Sequence, residues 1–202
     1  MADNYAKIVQ QNLDRLYGAL PDDLAERLPA RQEGKHLAFR AFGEECRIGP
    51  DGIELAGRPE MGPVGILISL YCLHVGVEPC ILEPLKAYKE LPGSTAYAGA
   101  FRVRTEAPLA ACVPGIERSL AEITQTLDGH RPPGEPRGDF SLVAAPLPKV
   151  RLCYLFYRAD EDFPASVTCL FSNNAPAFLP TDALADVGEY TTRKIRALLA
   201  PT

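Results

Sequence analysis

Tryptophan is absent from the 202-residue chain, and no two of its six cysteines lie close enough to share a turn. Cys46, Cys72, Cys80, Cys112, Cys153 and Cys169 form no C-x-x-C pair and are never closer than eight positions. Zinc and iron–sulfur sites draw closely spaced ligands from one turn, so no metal site is expected. Six thiols permit three disulfides on arithmetic alone. However, Cys72, Cys153 and Cys169 sit in apolar runs, where a thiol behaves as a small buried hydrophobe.

Positive charge is also in short supply. The 21 Lys and Arg against 26 Asp and Glu leave a formal charge of −5, which argues against a nucleic-acid or anionic-membrane surface. The longest apolar stretch, Met61 to Val77, contains two glycines, a proline and His74 before its final Gly76-Val77. As a helix over 63–76 it would rise roughly 20 Å, short of the ~30 Å hydrocarbon core. Because it is apolar on every face, it is expected as a buried helix rather than a membrane span. The start, Met-Ala-Asp-Asn-Tyr, has no charged-then-apolar leader pattern, so the cytoplasm is the expected compartment.

Familiar catalytic signatures are missing as well. There is no Walker loop, no G-x-G-x-x-G after a strand, no G-x-S-x-G and no H-E-x-x-H. The three histidines are isolated: His36 and His130 are expected in solvent and His74 buried or half-buried. With Cys72 and His74 two apart on a helix, a shared metal is not expected, and no cofactor is implied.

What is present is an ordinary globular composition, 47% apolar and 23% charged, which rules out disorder and suits one domain over 1–202. Nineteen prolines imply many short, well-punctuated elements. Helical spacing places Tyr5, Ile8, Val9, Leu13 and Leu16 on one face, with Asp3 as N-cap, and a short helix follows from Asp22 to Leu28. The period then changes to that of an antiparallel meander over 37–55, turning at Gly43 and at Pro50-Asp51-Gly52. Tyr97 to Val103 fits strand or helix; 108–112 and 115–127 read as helical. Asp128 to Gly138 reads as an exposed loop. Two β runs follow, 140–157 (interrupted at Pro146 and Pro148) and 165–171, joined through the acidic segment 158–164. A final helix capped by Thr181 runs to about Leu199. The sum is an α+β fold: a mostly antiparallel sheet, early meander plus late hairpin, flanked by helices, with one buried apolar helix.

The sharpest charged feature is Asp160-Glu161-Asp162. It reads either as a cation or acid/base site, or as a solvated turn whose charges keep two apolar strands from pairing with other chains. Lys86, Lys89, Arg102 and Arg104 are the candidate counter-charges. If Tyr97–Arg104 is extended, Arg102 and Arg104 point to one side and make an anion-binding pair; in a helix they diverge.

Two segments together carry a family likeness. One is Lys89-Glu90-Leu91-Pro92-Gly93-Ser94 with Tyr97, Ala100-Phe101, Arg104 and Pro108-Leu109. The other is Asp160-Glu161-Asp162-Phe163-Pro164-Ala165 with Leu170-Phe171, Leu179-Pro180-Thr181 and Leu184. In this order and spacing the chain resembles the prokaryotic domain of unknown function 3786 over nearly its whole length. Relatives of that kind carry an aromatic before the acidic turn, here Tyr157, and an acid where this chain has Ser172. The departure at Ser172 counts against a carboxylate cluster built from both places. The resemblance implies a setting in anaerobic bacteria and archaea, with some members fused to a cysteine-rich iron–sulfur segment. The scattered cysteines here do not supply such a cluster, so an iron–sulfur role is not carried over to this chain, and whether a partner holds one stays open.

The function expected on these grounds is a non-catalytic ligand-binding or accessory domain. Its binding residues would be Glu90, Tyr97, Arg102, Arg104, Tyr157, Asp160, Glu161 and Asp162, facing a small ligand or a protein partner. An enzyme acting on a small anion, with Glu90 or Asp160 as acid/base and Arg104 as anchor, is the first alternative. A structural component of an oligomer is the second. Convergence of these side chains in one concave pocket would separate the readings.

Overall fold

In the computed structural model, residues 2–132 and 138–199 are described. Two antiparallel sheets organise them, and the fold is α+β. Helix α1 (Ala2–Gly18) buries Val9, Leu13 and Leu16 at the expected spacing. Asp3 falls inside this helix rather than capping it. After the short α2 (Leu24–Arg27) the chain enters the meander β1 (Arg31–Glu33), β2 (His36–Ala41), β3 (Glu44–Gly49), β4 (Gly52–Leu55) and β5 (Arg58–Pro59), each strand paired with the next. Gly43 turns β2 into β3 at φ +78°, and a Cβ there would lie 2.3 Å from the Thr126 carbonyl oxygen, so only glycine fits.

The apolar run forms α3 (Pro63–His74), with Pro63 at its start, where a missing N–H costs nothing. It buries residues on every side, packing against α1 through Asn12 Nδ2–Ser69 Oγ (2.9 Å) and against β2 through Tyr71 and Phe39, whose ring centroids are 6.4 Å apart. The helix ends at His74 because Val75 turns extended. That leaves His74 exposed, rather than buried or half-buried as expected, with Nδ1 2.8 Å from the Leu70 carbonyl oxygen.

After an irregular strap comes β6 (Lys86–Ala87). A chain of short helical turns then follows: α4 (Ala98–Phe101), a π-type turn over Arg102–Glu106, α5 (Ala107–Ala110), α6 (Val113–Arg118) and α7 (Leu120–Thr126). Tyr97–Arg104 is thus helical, and the condition for a paired Arg102/Arg104 anion site is not met. The expected β run at 140–157 is two strands, β7 (Phe140–Leu147) and β8 (Val150–Tyr157), reversed at Pro148-Lys149. Pro146 is accommodated where the ladder slips between Ala144 and Leu147. β9 (Ser166–Phe171) pairs with β8, and the second sheet runs β6-β9-β8-β7.

The closing helix α8 (Thr181–Ala197) begins one residue earlier than a Thr181 cap requires. Pro180 stands at the cap, and the Thr181 hydroxyl donates instead to the Pro92 carbonyl (2.7 Å). Lys194 and Arg196 lie in its last turn, as the helix dipole favours. Gly188 allows α8 to approach α4 and the π-type turn: a Cβ there would come within 2.6 Å of the Phe101 ring and 3.2 Å of the Thr105 side chain. The expected exposed loop keeps His130 in solvent, although its backbone pairs with Val143; residues 133–137 of that loop lie outside the described residues. His36 is half-buried rather than free in solvent. Cys46, Cys72, Cys153 and Cys169 are buried, Cys80 and Cys112 half-buried. Among the described residues no helix is long and apolar enough to cross a membrane.

Candidate functional site

Alternation along β2 sends Leu37 and Ala41 into the core and Ala38 and Arg40 to the outer face of the first sheet. Register then fixes their neighbours: Ala38 lies between Arg31 and Arg47, and Arg40 faces Glu45. The outer face becomes a charged lattice, with Arg31–Glu33 at 2.6 Å, Arg31–Glu45 at 3.8 Å and Arg47–Glu33 at 3.5 Å. The Arg31 guanidinium hydrogen-bonded to Glu33 holds that carboxyl below its usual range.

Against this face stands the tip of the β7–β8 hairpin. The Phe42 N–H donates to the Pro146 carbonyl (2.7 Å) and the Ala145 N–H to that of Leu127 (3.0 Å), which fix the hairpin to the β2–β3 turn and to the end of α7. Between the two walls runs a groove of about 690 Å³. Pro29, Ala38, Phe39, Ala145 and Pro148 supply its apolar surface, and Arg31, Arg40, Arg151, Glu45 and Asp128 its charge. That volume lies within the range typical of small-ligand sites.

The arginines differ in what they hold. Arg40 Nε lies 2.8 and 2.7 Å from the two carboxylate oxygens of Asp128, and its Nη2 donates to the Gly43 carbonyl (2.6 Å). Arg31 is engaged with Glu33. Arg151, half-buried, meets no carboxylate among the described residues: its Nη1 donates to the carbonyls of Leu147 (3.0 Å), Pro148 (3.0 Å) and Val150 (3.1 Å).

The other cation of the hairpin, Lys149, is buried and points away to the strap. Its Nζ donates to the Gly76 carbonyl (2.8 Å) and lies 5.7 Å from the Phe178 ring centroid. Burial pulls the amine below its usual range, opposed by the nearby Glu78 carboxylate. The Lys149 N–H donates to the buried Tyr71 hydroxyl (3.1 Å).

The residues singled out from the sequence fall elsewhere. Tyr97 and Arg104 line a smaller groove of about 270 Å³ with Phe101, Asp182, Asp186 and Glu189. Arg104 is 3.6 Å from Glu189. Desolvation, then Glu189 and Asp182, push the Asp186 carboxyl above its usual range, while Arg104 and Arg193 pull it down. Neither Glu90 nor Asp160 lines that groove. Glu90 folds back, Oε2 accepting the Ala87 N–H (2.6 Å). Asp160 Oδ1 accepts the N–H groups of Asp162 (2.9 Å) and Phe163 (2.7 Å), closing its own turn.

The residues just before Glu90 pair with the last two of β9, and the acidic turn precedes its first, so the two segments sit at opposite ends of that strand. Asp160, Glu161 and Asp162 are exposed and enter no ion pair among the described residues. Nearby Arg158 binds Glu117 and Asp139 instead. Arg102 is exposed on the π-type turn, and Tyr157 is partly exposed at the end of β8. Four of the named residues therefore sit near one another around α4, and the other four at the connection between β8 and β9, with no shared cavity between the sets.

Sequence reasoning missed Arg151, Arg40 and Asp128. One signal was legible: Arg151 is a cation within an otherwise apolar strand run, Val150 to Phe156. Among the described residues no three His, Cys, Asp or Glu side chains converge as a metal ion requires.

A family model described as domain of unknown function, DUF3786, matches residues 21–194. No curated protein and no solved structure matches the chain significantly.

Proposed function

The chain belongs to the DUF3786 family, a domain of unknown function, and we propose that it is a non-catalytic binding domain whose small ligand sits in the groove between the first sheet and the β7–β8 hairpin. One observation supports this reading above the others. Arg151 is a half-buried guanidinium at the edge of a ligand-sized cavity, held by backbone carbonyls and facing no carboxylate of the described chain. A charge placed there solely for the fold would be expected to carry an acidic partner. The apolar surface beside it supplies area, and the arginines supply orientation.

The test is a thermal-shift screen of the whole chain against small acids, amines, nucleotides, corrinoids and metal ions. A ligand that prefers the folded state raises the midpoint by mass action. At least one class is expected to do so. The shift should vanish in Ala38→Trp, which fills the groove, and persist in Glu90→Ala and Asp160→Ala, which do not touch it. A shift that survives Ala38→Trp, or no shift from any class, overturns the reading.

A further inference from the structure

Resting on that reading, we infer that the ligand carries a single carboxylate, taken side-on by Arg151, and an apolar body that lies along Ala38, Ala145 and Pro148. The argument begins with the hydrogen bonds of Arg151. A guanidinium presents five N–H donors in a rigid plane. The Nη1 group is fully engaged with the carbonyls of Leu147, Pro148 and Val150, all within the turn that carries the arginine. This pins the plane of the group. The opposite edge, formed by Nε–H and one Nη2–H, makes no hydrogen bond among the described residues. Two parallel donors on one edge match the two oxygens of a carboxylate.

The charge of the groove selects the valence. The groove is lined by three arginines and two carboxylates, Glu45 and Asp128, leaving one positive charge to balance. A monoanion neutralises it; a phosphate monoester, near two negative charges at neutral pH, leaves an excess beside Glu45 and Asp128. Arg40 is no competing anchor, because Asp128 already occupies its Nε. The apolar stretch completes the selection: Ala38 and Ala145 are short side chains that leave room above the sheet, and Pro148, whose carbonyl accepts from Arg151, adds apolar surface beside the guanidinium.

The experiment is a two-dimensional ¹H–¹⁵N titration of the full chain that includes the arginine Nε–H signals, with hexanoate, hexanamide and methyl phosphate as probes. Hexanoate is expected to move the Arg151 Nε–H signal, identified by its loss in Arg151→Lys, together with the backbone amides of Ala38 and Ala145. Hexanamide, of the same shape without the charge, should bind at least about tenfold more weakly, as should methyl phosphate. Arg151→Lys should weaken hexanoate by a similar factor, since an ammonium offers no planar fork. The comparison of hexanoate with hexanamide is made on the unaltered chain and stands even if the variant is unstable.

If hexanamide binds in the groove as well as hexanoate does, the carboxylate anchor is overturned while the groove remains a ligand site. Tighter binding of methyl phosphate likewise overturns the monoanion and leaves the site. If no probe moves any groove signal, the inference and the reading beneath it fall together.

Discussion

The hydroxyl of Thr181 donates to the carbonyl oxygen of Pro92 across 2.7 Å, joining the two segments that carry the family likeness. Tyr88 strengthens the same joint, its hydroxyl donating to the Thr181 carbonyl (3.0 Å) while its ring stacks on Phe101 at 4.4 Å. Pro180 at the helix start and the tight turn at Gly93 are therefore parts of one brace that ties the start of α8 to the segment after β6. Removing the hydroxyl in Thr181→Val is expected to cost about 0.5–1 kcal/mol, whereas Thr181→Ser keeps the donor and stays close to the parent. Urea unfolding midpoints separate the two; equal losses would show that the methyl group, not the bond, matters.

Two buried tyrosines make opposite forecasts. The Tyr71 hydroxyl accepts the Lys149 N–H at 3.1 Å, so Tyr71→Phe leaves a buried donor unpaired and should cost about 1–3 kcal/mol. The Tyr154 hydroxyl lies among Thr191, Thr192 and Cys169 but reaches hydrogen-bonding geometry with none of them. Thr191 and Thr192 donate elsewhere, to the carbonyls of Val187 and Thr105, each at 2.8 Å. Tyr154→Phe is accordingly expected to be neutral, within about 0.5 kcal/mol, or stabilising. Denaturant unfolding of both variants checks the contrast, and equal destabilisation would refute it.

A half-buried carboxyl gives a pH-dependent test. Burial raises Glu106 above its ordinary value of 4.5, against the lowering effects of the Cys169 N–H (3.0 Å from Oε1) and of Arg102. The folded chain therefore holds this proton more tightly than the unfolded chain. Stability falls as pH rises from about 4.5 through the raised value, and the penalty is complete above it. Glu106→Gln keeps an oxygen for the Cys169 N–H and removes the charge. The variant should melt higher than the parent near neutral pH and at the same temperature below the ordinary carboxylate value. A lower melting temperature at neutral pH would show that the ionised form is the one the fold prefers.

Much of the architecture is encoded locally and was legible. The Pro50-Asp51-Gly52 turn, the alternation along 37–42 and the helical spacing of Val9, Leu13 and Leu16 each report a structure settled within a few residues. The segment 97–104 resisted because its helix is out of phase. The π-type turn at Arg102–Glu106 inserts a residue, sending Val103 to solvent at 67% exposure while Thr105 is buried, so no single period describes it. The groove was not legible for a different reason. Arg40 and Asp128 are 88 positions apart, and their neighbours Phe42 and Leu127 are brought together by hydrogen bonds to Pro146 and Ala145 of the hairpin. The acidic triplet drew attention as a run of like charge, yet its first carboxylate closes its own turn through the Asp162 and Phe163 N–H groups. Arg151 showed one sign, a charge out of place in an apolar strand.

The hairpin tip is held by bonds that reach far along the chain, 78 positions from Lys149 to Tyr71 and 73 from Lys149 to Gly76. Closing loops of that length costs entropy before any contact offsets it. The cleft walls are therefore expected to meet after each sheet has formed its own hairpins. A molecule gripping both walls would then act as a template for that last step.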